Sequence, residues 1–478
     1  MLAALLHLGW YGYTVGAVLG AKLLLSAPIP RPWRSSPRTR RQPTMGMTVH
    51  GVITVYNEDP AMLRRCLQSV LAQTRRPDSL TVVDDCSADH SASALIDQMR
   101  TAFDTAGIAL TFIRFPANRG KRHGLAAAFR QSPAADAYLA VDSDTILGPD
   151  AVEQLLRPMA RRRVHAVTGL VLAHNRSVNL LTRLIDMRYV NAFLGERVAY
   201  SRLGSVLCAC GSLALYRGWV MRKYLDDFLD QQFLGRPATF GDDRRLTYYA
   251  LTEGQSLIAP TAVGYTDVPE HLGHYVRQQI RWGRSFIREG VLLLAQVRFV
   301  PRAFWWINLV EVGTWIGFTA GLLTTLVLAV VHPAGWHILT GYALAVCVMA
   351  WIRSVHYLRR APGVPKPDRL LTFAAAPLYA LLNLGLLLPL RLWSLATLHA
   401  TSWGTRQNGA EVHHTEQAPT AEPAAPTFAP APAAYDADAI TEPIPLIPAA
   451  RADDDTVPLH KLLDPLDART LELDLRTR

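Results

Sequence analysis

Between residues 48 and 144, short runs of β-branched and aliphatic residues alternate with stretches of helical periodicity. The first run, Val49–Val55, stops at Tyr56-Asn57-Glu58. Asp59 and Pro60 then supply an N-cap and a first-turn proline for a helix reaching about Gln73. A second run over 80–83 stops at Asp84-Asp85. A third over 109–113 leads to Asn118-Arg119-Gly120-Lys121-Arg122, where another helix begins, and a fourth over 137–141 stops at Asp142-Ser143-Asp144. Strand runs spaced by helices predict βαβ units around a mostly parallel sheet, an α/β class. In such sheets ligands gather at the carboxyl ends of the strands, and polar groups recur here at successive strand ends.

Elsewhere the pattern becomes continuously apolar. Residues 2–25 are apolar apart from His7 and Lys22, long enough to cross a bilayer as one helix. A signal peptide is the alternative, but this run is long, lacks a basic leader and is followed by Arg31, Arg34, Arg38, Arg40 and Arg41. That basic flank predicts a cytoplasmic side for the domain that follows. Residues 291–295, with basic flanks, suit an interfacial helix. Residues 304–331 and 337–352 read as spans separated by an uncharged turn at 332–336, with Glu311 inside the first facing the bundle interior or a polar path. Arg353, Arg359, Arg360, Lys366 and Arg369 then mark a cytoplasmic loop. Residues 370–398 are too few for two crossings at about 20 residues each, yet one crossing carries the following residues to the side opposite the 48–144 domain. Pro377 and Pro389 permit a kinked or re-entrant path.

Composition supports this division. Half of the residues are hydrophobic and the net charge is +10. Residues 411–478 hold 13 acidic against 5 basic residues, so the remainder carries +18. A basic body beside apolar spans suits lipid surfaces and phosphate-bearing ligands, and no nucleic-acid motif accompanies it. The five cysteines are scattered, Cys208-Ala209-Cys210 lacks metal-site spacing, and free thiols are expected. The expected organisation is an N-terminal membrane helix (1–27), a basic cytoplasmic linker (28–47), an α/β domain (48–290), interfacial and transmembrane helices (291–408) and a disordered Ala/Pro-rich acidic tail (409–478).

The chemistry-bearing residues each have an ordinary reading too. Asp142 and Asp144 fit a solvated turn as well as a site where carboxylates hold a hard cation against a diphosphate. Asp84 and Asp85 either cap the next helix or bond a nucleoside. Lys121 and Arg122 open a helix, where cations oppose the helix dipole, and a phosphate neighbour would account for them. Gly241-Asp242-Asp243-Arg244 fits helix capping. Gln278-Gln279-Ile280-Arg281-Trp282 fits an amphipathic surface helix, or an arginine that forks onto phosphate beside a ring that stacks on a sugar.

In this order, the set Asp84-Asp85, Gly120-Lys121-Arg122, Asp142-Ser143-Asp144, Gly241-Asp242-Asp243-Arg244 and Gln278-Gln279-Ile280-Arg281-Trp282 resembles the processive family 2 glycosyltransferases, the hyaluronan, chitin and cellulose synthases. Gly241 to Thr247 and Trp403-Gly404-Thr405-Arg406 are most similar to the hyaluronan synthase branch. Cys210-Gly211-Ser212 departs from its Ser-Gly-Pro-like acceptor motif. The resemblance implies a GT-A domain and inverting transfer from UDP-sugars to a growing polysaccharide. It implies that Asp84 contacts the nucleoside and Lys121 the diphosphate, while Asp142 and Asp144 hold Mg²⁺ or Mn²⁺ and the donor. Asp243 would be the general base, with Asp242 next in line. Arg281 would neutralise the departing UDP and Trp282 would hold the acceptor sugar. Tyr56, Asn57, Glu58, Asp85, Arg122, Gly211, Ser212, Arg244, Gln278, Trp403 and Arg406 complete the expected substrate-binding set. The expected protein is a multi-pass enzyme of the cell membrane with a cytoplasmic catalytic domain, making hyaluronan and exporting it. The alternatives are a chitin-type synthase using UDP-N-acetylglucosamine alone, or a non-catalytic nucleotide-binding membrane scaffold or transporter.

Overall fold

The computed structural model describes residues 9–27, 46–238, 240–295 and 301–400. Most of the expected basic linker, Trp403, Arg406 and the acidic tail lie outside the described residues. The strands are β1 (Val49–Val55), β2 (Ser79–Asp84), β3 (Ala109–Arg114), β4 (Ala137–Asp142), β5 (Ile146–Leu147), β6 (Val164–Ala173), β7 (Ala214–Arg217), β8 (Gln232–Phe233), β9 (Arg236–Pro237) and β10 (Gln255–Thr266). Eight of them form one sheet in the order β3-β2-β1-β4-β7-β6-β10-β5, while β8 and β9 form a separate hairpin.

The four strands expected between residues 48 and 144 are present and pair in parallel. Their continuous apolar runs follow from helices covering both faces. Alternation along β1 sends Ile53 into one core layer with Leu67, Ile96 and Leu139, and Val52 into the other with Leu125, Phe129 and Tyr138. Beyond β4 the sheet is mixed: β7 runs antiparallel to both β4 and β6, and β5 antiparallel to β10. Thr54 pairs with Asp142 and Val55 with Asp84, so the ends of β1, β2 and β4 lie level along one edge. Between β1 and β4 the strand order reverses, which opens a crevice at that edge. Helix Pro60–Leu71 begins as the sequence predicts, with Asp59 Oδ1 accepting the Ala61 N–H at 2.8 Å.

Three helical runs, Ala303–Val331, Gly335–Arg360 and Lys366–Ala396, are long and apolar enough to cross a membrane, and a shorter apolar helix covers Tyr13–Ser26. Residues 291–295 do not form a helix of their own. They finish helix Leu272–Ala295, which also carries Gln278 to Trp282. The ambiguous stretch 370–398 belongs to the third run, nearly continuous helix with a π-helical turn at Asn383–Leu387. Its end does not leave the catalytic domain: Arg284 Nη2 donates to Thr397 Oγ1 (2.8 Å), and Arg288 donates to the carbonyls of Leu398 (2.9 Å) and Ala400 (2.6 Å). The end of the first apolar helix meets the same body, with Arg202 donating to the Ala27 carbonyl (2.7 Å), and meets the run Gly335–Arg360, with Ser26 Oγ 2.8 Å from His356 Nε2.

Candidate active site

Asp142 closes β4, and the turn carrying Asp144 is fastened by the Thr145 N–H donating to the Asp142 carbonyl (3.0 Å). Lys121 opens helix Lys121–Gln131 and forms an ion pair with Asp142 Oδ1, while Ser212 Oγ donates to Asp142 Oδ2 (3.0 Å). Gly211 lets its loop come this close: a Cβ there would lie 3.3 Å from Lys121 Nζ. Across the gap, helix Asp242–Glu253 presents Asp243, whose Oδ1 accepts the Arg244 N–H (2.8 Å) and whose Oδ2 accepts the Cys208 thiol (3.2 Å). Lys121, Asp142, Gly211, Asp242 and Asp243 thus line one small cavity of about 20 Å³.

Two residues of the expected ligand-binding set also have partners within the protein. Arg122 Nε donates to Asp242 Oδ1 (2.9 Å); both side chains are 4% exposed, and the guanidinium lies over the Phe228 ring. Asp242 thus supplies a counter-charge to Arg122 at its helix start. Asp242 thereby joins two helices. Asp84 is fully buried: its Oδ1 accepts the Ser87 N–H (2.9 Å) and hydroxyl (2.6 Å), and its Oδ2 accepts Arg114 (2.9 Å). Both oxygens of Asp84 are thus engaged within the protein.

Asp85 does not cap the next helix, Ser91–Thr105, whose N-cap His90 makes no side-chain bond. It accepts instead the N–H groups of Arg119 (2.7 Å) and Gly120 (2.8 Å), holding the loop that delivers Lys121. Burial pushes the Asp85 carboxyl above its usual range, and these two N–H donors pull it back. Tyr56, Asn57 and Glu58 follow β1. Asn57, at φ +48°, donates its N–H to Ser87 Oγ (2.9 Å), and Glu58 Oε2 accepts Ser143 Oγ (2.7 Å), tying the β1 end to the β4 end.

Helix Leu272–Ala295 packs against the turn that carries Asp243. Gly241, at φ +94°, seats the Asp243 turn on it: a Cβ would lie 2.4 Å from Ser285 Oγ, and Arg244 lies over Phe286 at 5.0 Å. Gly241→Ala is therefore expected to destabilise the protein by about 1–3 kcal/mol, read as a lowered Tm of the purified chain, and to disturb Asp243. On the same helix Gln278 is buried, Arg281 is half-buried, and half-buried Trp282 lies 6.4 Å from the Tyr189 ring with Arg188 over its face at 5.3 Å.

A metal-binding test follows from the donor set. Among the described residues no group of three or more His, Cys, Asp or Glu side chains could hold a metal. Glu58, Asp142 and Asp144 nevertheless concentrate negative charge at this edge: after burial, they are what pushes the Cys66 thiol up. One or two carboxylates with the remaining ligands drawn from a diphosphate is the usual manner of Mg²⁺ binding, so Asp142 and Asp144 fit.

Residues 48–285 match the family described as Glycosyltransferase like family 2. A hyaluronan synthase from Streptococcus pyogenes is 37% identical over 407 residues, covering 84% of this chain and 91% of that protein. The chain belongs to the family 2 glycosyltransferases. An N-acetylglucosaminyltransferase from Mesorhizobium japonicum is 36% identical over 380 residues, covering 78% of this chain and 84% of that protein. A mannosyltransferase from Pyrobaculum calidifontis, solved with GDP-Man and Mn²⁺, matches with a TM-score of 0.50 at 21% identity, over 78% of this chain and 97% of that one. That likeness gives the fold, GT-A. The glycosyltransferase is a GT-A domain joined to apolar helices, a membrane protein and an enzyme, which sets aside the non-catalytic scaffold.

Three residues of this glycosyltransferase site escaped sequence reasoning. Cys208 contacts Asp243, Arg114 neutralises Asp84, and Arg188 backs Trp282. Arg114 carries a weak signal, as a cation directly after an apolar run. Cys208 and Arg188 carry none, because their partners are 35 and 94 positions away in sequence.

Proposed function

We propose that this glycosyltransferase builds hyaluronan from UDP-N-acetylglucosamine and UDP-glucuronate by inverting transfer, and passes the polymer outward between its own helices. The observation that carries the reading is the placement of Lys121 and Asp142 on one wall of a cavity and Asp243 on the other. Lys121 binds the donor diphosphate. Asp243 takes the proton of the acceptor hydroxyl as that oxygen attacks the anomeric carbon. Arg281 offsets the charge that develops on the departing UDP, and Trp282, backed by Arg188 and Tyr189, is the platform for the acceptor ring. Mg²⁺ or Mn²⁺ held by Asp142 and Asp144 would supply further charge neutralisation at the diphosphate.

The catalytic domain, residues 48–290, faces the cytoplasm, and the chain crosses the membrane more than once. The basic segments flanking the apolar helices support this orientation, as does the contact of Ala27 with Arg202 of the catalytic body. The wording Gly241 to Thr247 and the streptococcal relative favour hyaluronan. The Mesorhizobium relative and Cys210-Gly211-Ser212 favour a second reading, chain growth from UDP-N-acetylglucosamine alone. Purified protein incubated with each UDP-sugar singly and with both decides between them. Long polymer formed only with both donors and degraded by hyaluronan lyase is the expected result. Chains formed from UDP-N-acetylglucosamine alone and cut by chitinase would establish the second.

A further inference from the structure

Residues 208–212 touch both carboxylates that face each other across the cavity. The Cys208 thiol donates to Asp243 Oδ2 (3.2 Å), and the Ser212 hydroxyl donates to Asp142 Oδ2 (3.0 Å). The backbone between them is fastened from several sides. Arg197 Nε donates to the Cys208 carbonyl (3.2 Å) and the Tyr216 hydroxyl to the Ala209 carbonyl (3.1 Å). The Ala209 N–H donates to Thr247 Oγ1 (2.8 Å) and the Cys210 N–H to Thr168 Oγ1 (3.1 Å). Thr247 Oγ1 in turn donates to the Asp243 carbonyl (2.6 Å), so the loop and the turn that carries Asp243 are fastened to each other.

We propose that residues 208–212 form a clamp orienting both carboxylates of the site, in which Cys208 is the positioning residue for Asp243. The inference rests on the reading of Asp243 as the general base. Burial, and after it the Asp243 charge, holds the Cys208 thiol well above its ordinary range, so the sulfur keeps its proton and acts as a donor. A thiol is a weak donor. A donor to the ionised form of a carboxylate lowers its basicity in proportion to the strength of the bond. The thiol therefore fixes the orientation of Asp243, whose other oxygen accepts the Arg244 N–H.

The experiment measures UDP release against pH by the purified full-length chain and its Cys208→Ser, Cys208→Ala and Asp243→Asn variants, with UDP binding as the check on folding. Cys208→Ala should lose about tenfold in kcat with the donor KM little changed, and Cys208→Ser should recover most of that loss. The acid limb of the kcat profile should move to higher pH in Cys208→Ala and to lower pH in Cys208→Ser, since removing a donor raises the carboxylate and a stronger donor lowers it. Coincident acid limbs in all three active proteins, with Asp243→Asn inactive, overturn the role of Cys208 and leave the base in place. Near-normal transfer by Asp243→Asn overturns both.

Discussion

Asp243→Asn is expected to lower transfer by about 10² or more while UDP-sugar binding survives. The asparagine keeps the shape of the side chain, and its amide oxygen can still accept the Arg244 N–H that now bonds Oδ1 at 2.8 Å. It cannot accept the proton of the acceptor hydroxyl. In the proposed reading the donor binds beside Lys121 and Asp142, which pair with each other, and the substitution leaves that pair intact. The measurement is UDP release and polymer yield beside a separate binding titration with UDP. Near-normal transfer would move the base elsewhere. Asp242 is then the weaker replacement, because it is buried against Arg122 and breaking such a pair costs about 3–5 kcal/mol.

Removing divalent metal is expected to have an effect at least as large. Excess chelator should abolish transfer, Mg²⁺ or Mn²⁺ should restore it, and Asp144→Asn should lose activity while the protein stays folded. The carboxylates of Asp142, Asp144 and Glu58 make the β4 edge negative, so a dianionic diphosphate approaching it needs cations beyond Lys121. Because the described residues assemble no metal site of three or more protein ligands, chelator should leave the Tm of the nucleotide-free protein unchanged. Full transfer in excess chelator would sink the assignment of Asp142 and Asp144.

The parallel half of the sheet was legible because each of its strands is a local apolar run whose end is marked by polar residues. β1 spans the run read from the pattern, and β2, β3 and β4 extend theirs by one or two residues. The mixed half was not legible. β7 is four residues long, and its antiparallel place between β4 and β6 is a matter of long-range pairing that no local pattern carries. The apolar helices were legible by length and composition, whereas the path of 370–398 depended on Arg284 and Arg288, more than a hundred positions earlier in the chain.

The site divides along the same line. By itself the sequence determined the α/β rhythm, the apolar spans, the motif residues and their order, because strand ends, caps and membrane segments are set by neighbours a few residues apart. Only the tertiary structure decided which charged residues face the crevice and which neutralise one another. Asp84 and Arg122 read as ligand contacts in sequence, and in the fold they pair with Arg114 and Asp242. Lys121 with Asp142 remains at the cavity beside Asp243. The reason is physical: a buried charge must find a counter-charge or neutralise, and whether that partner is a ligand or another side chain depends on contacts between segments far apart in the chain.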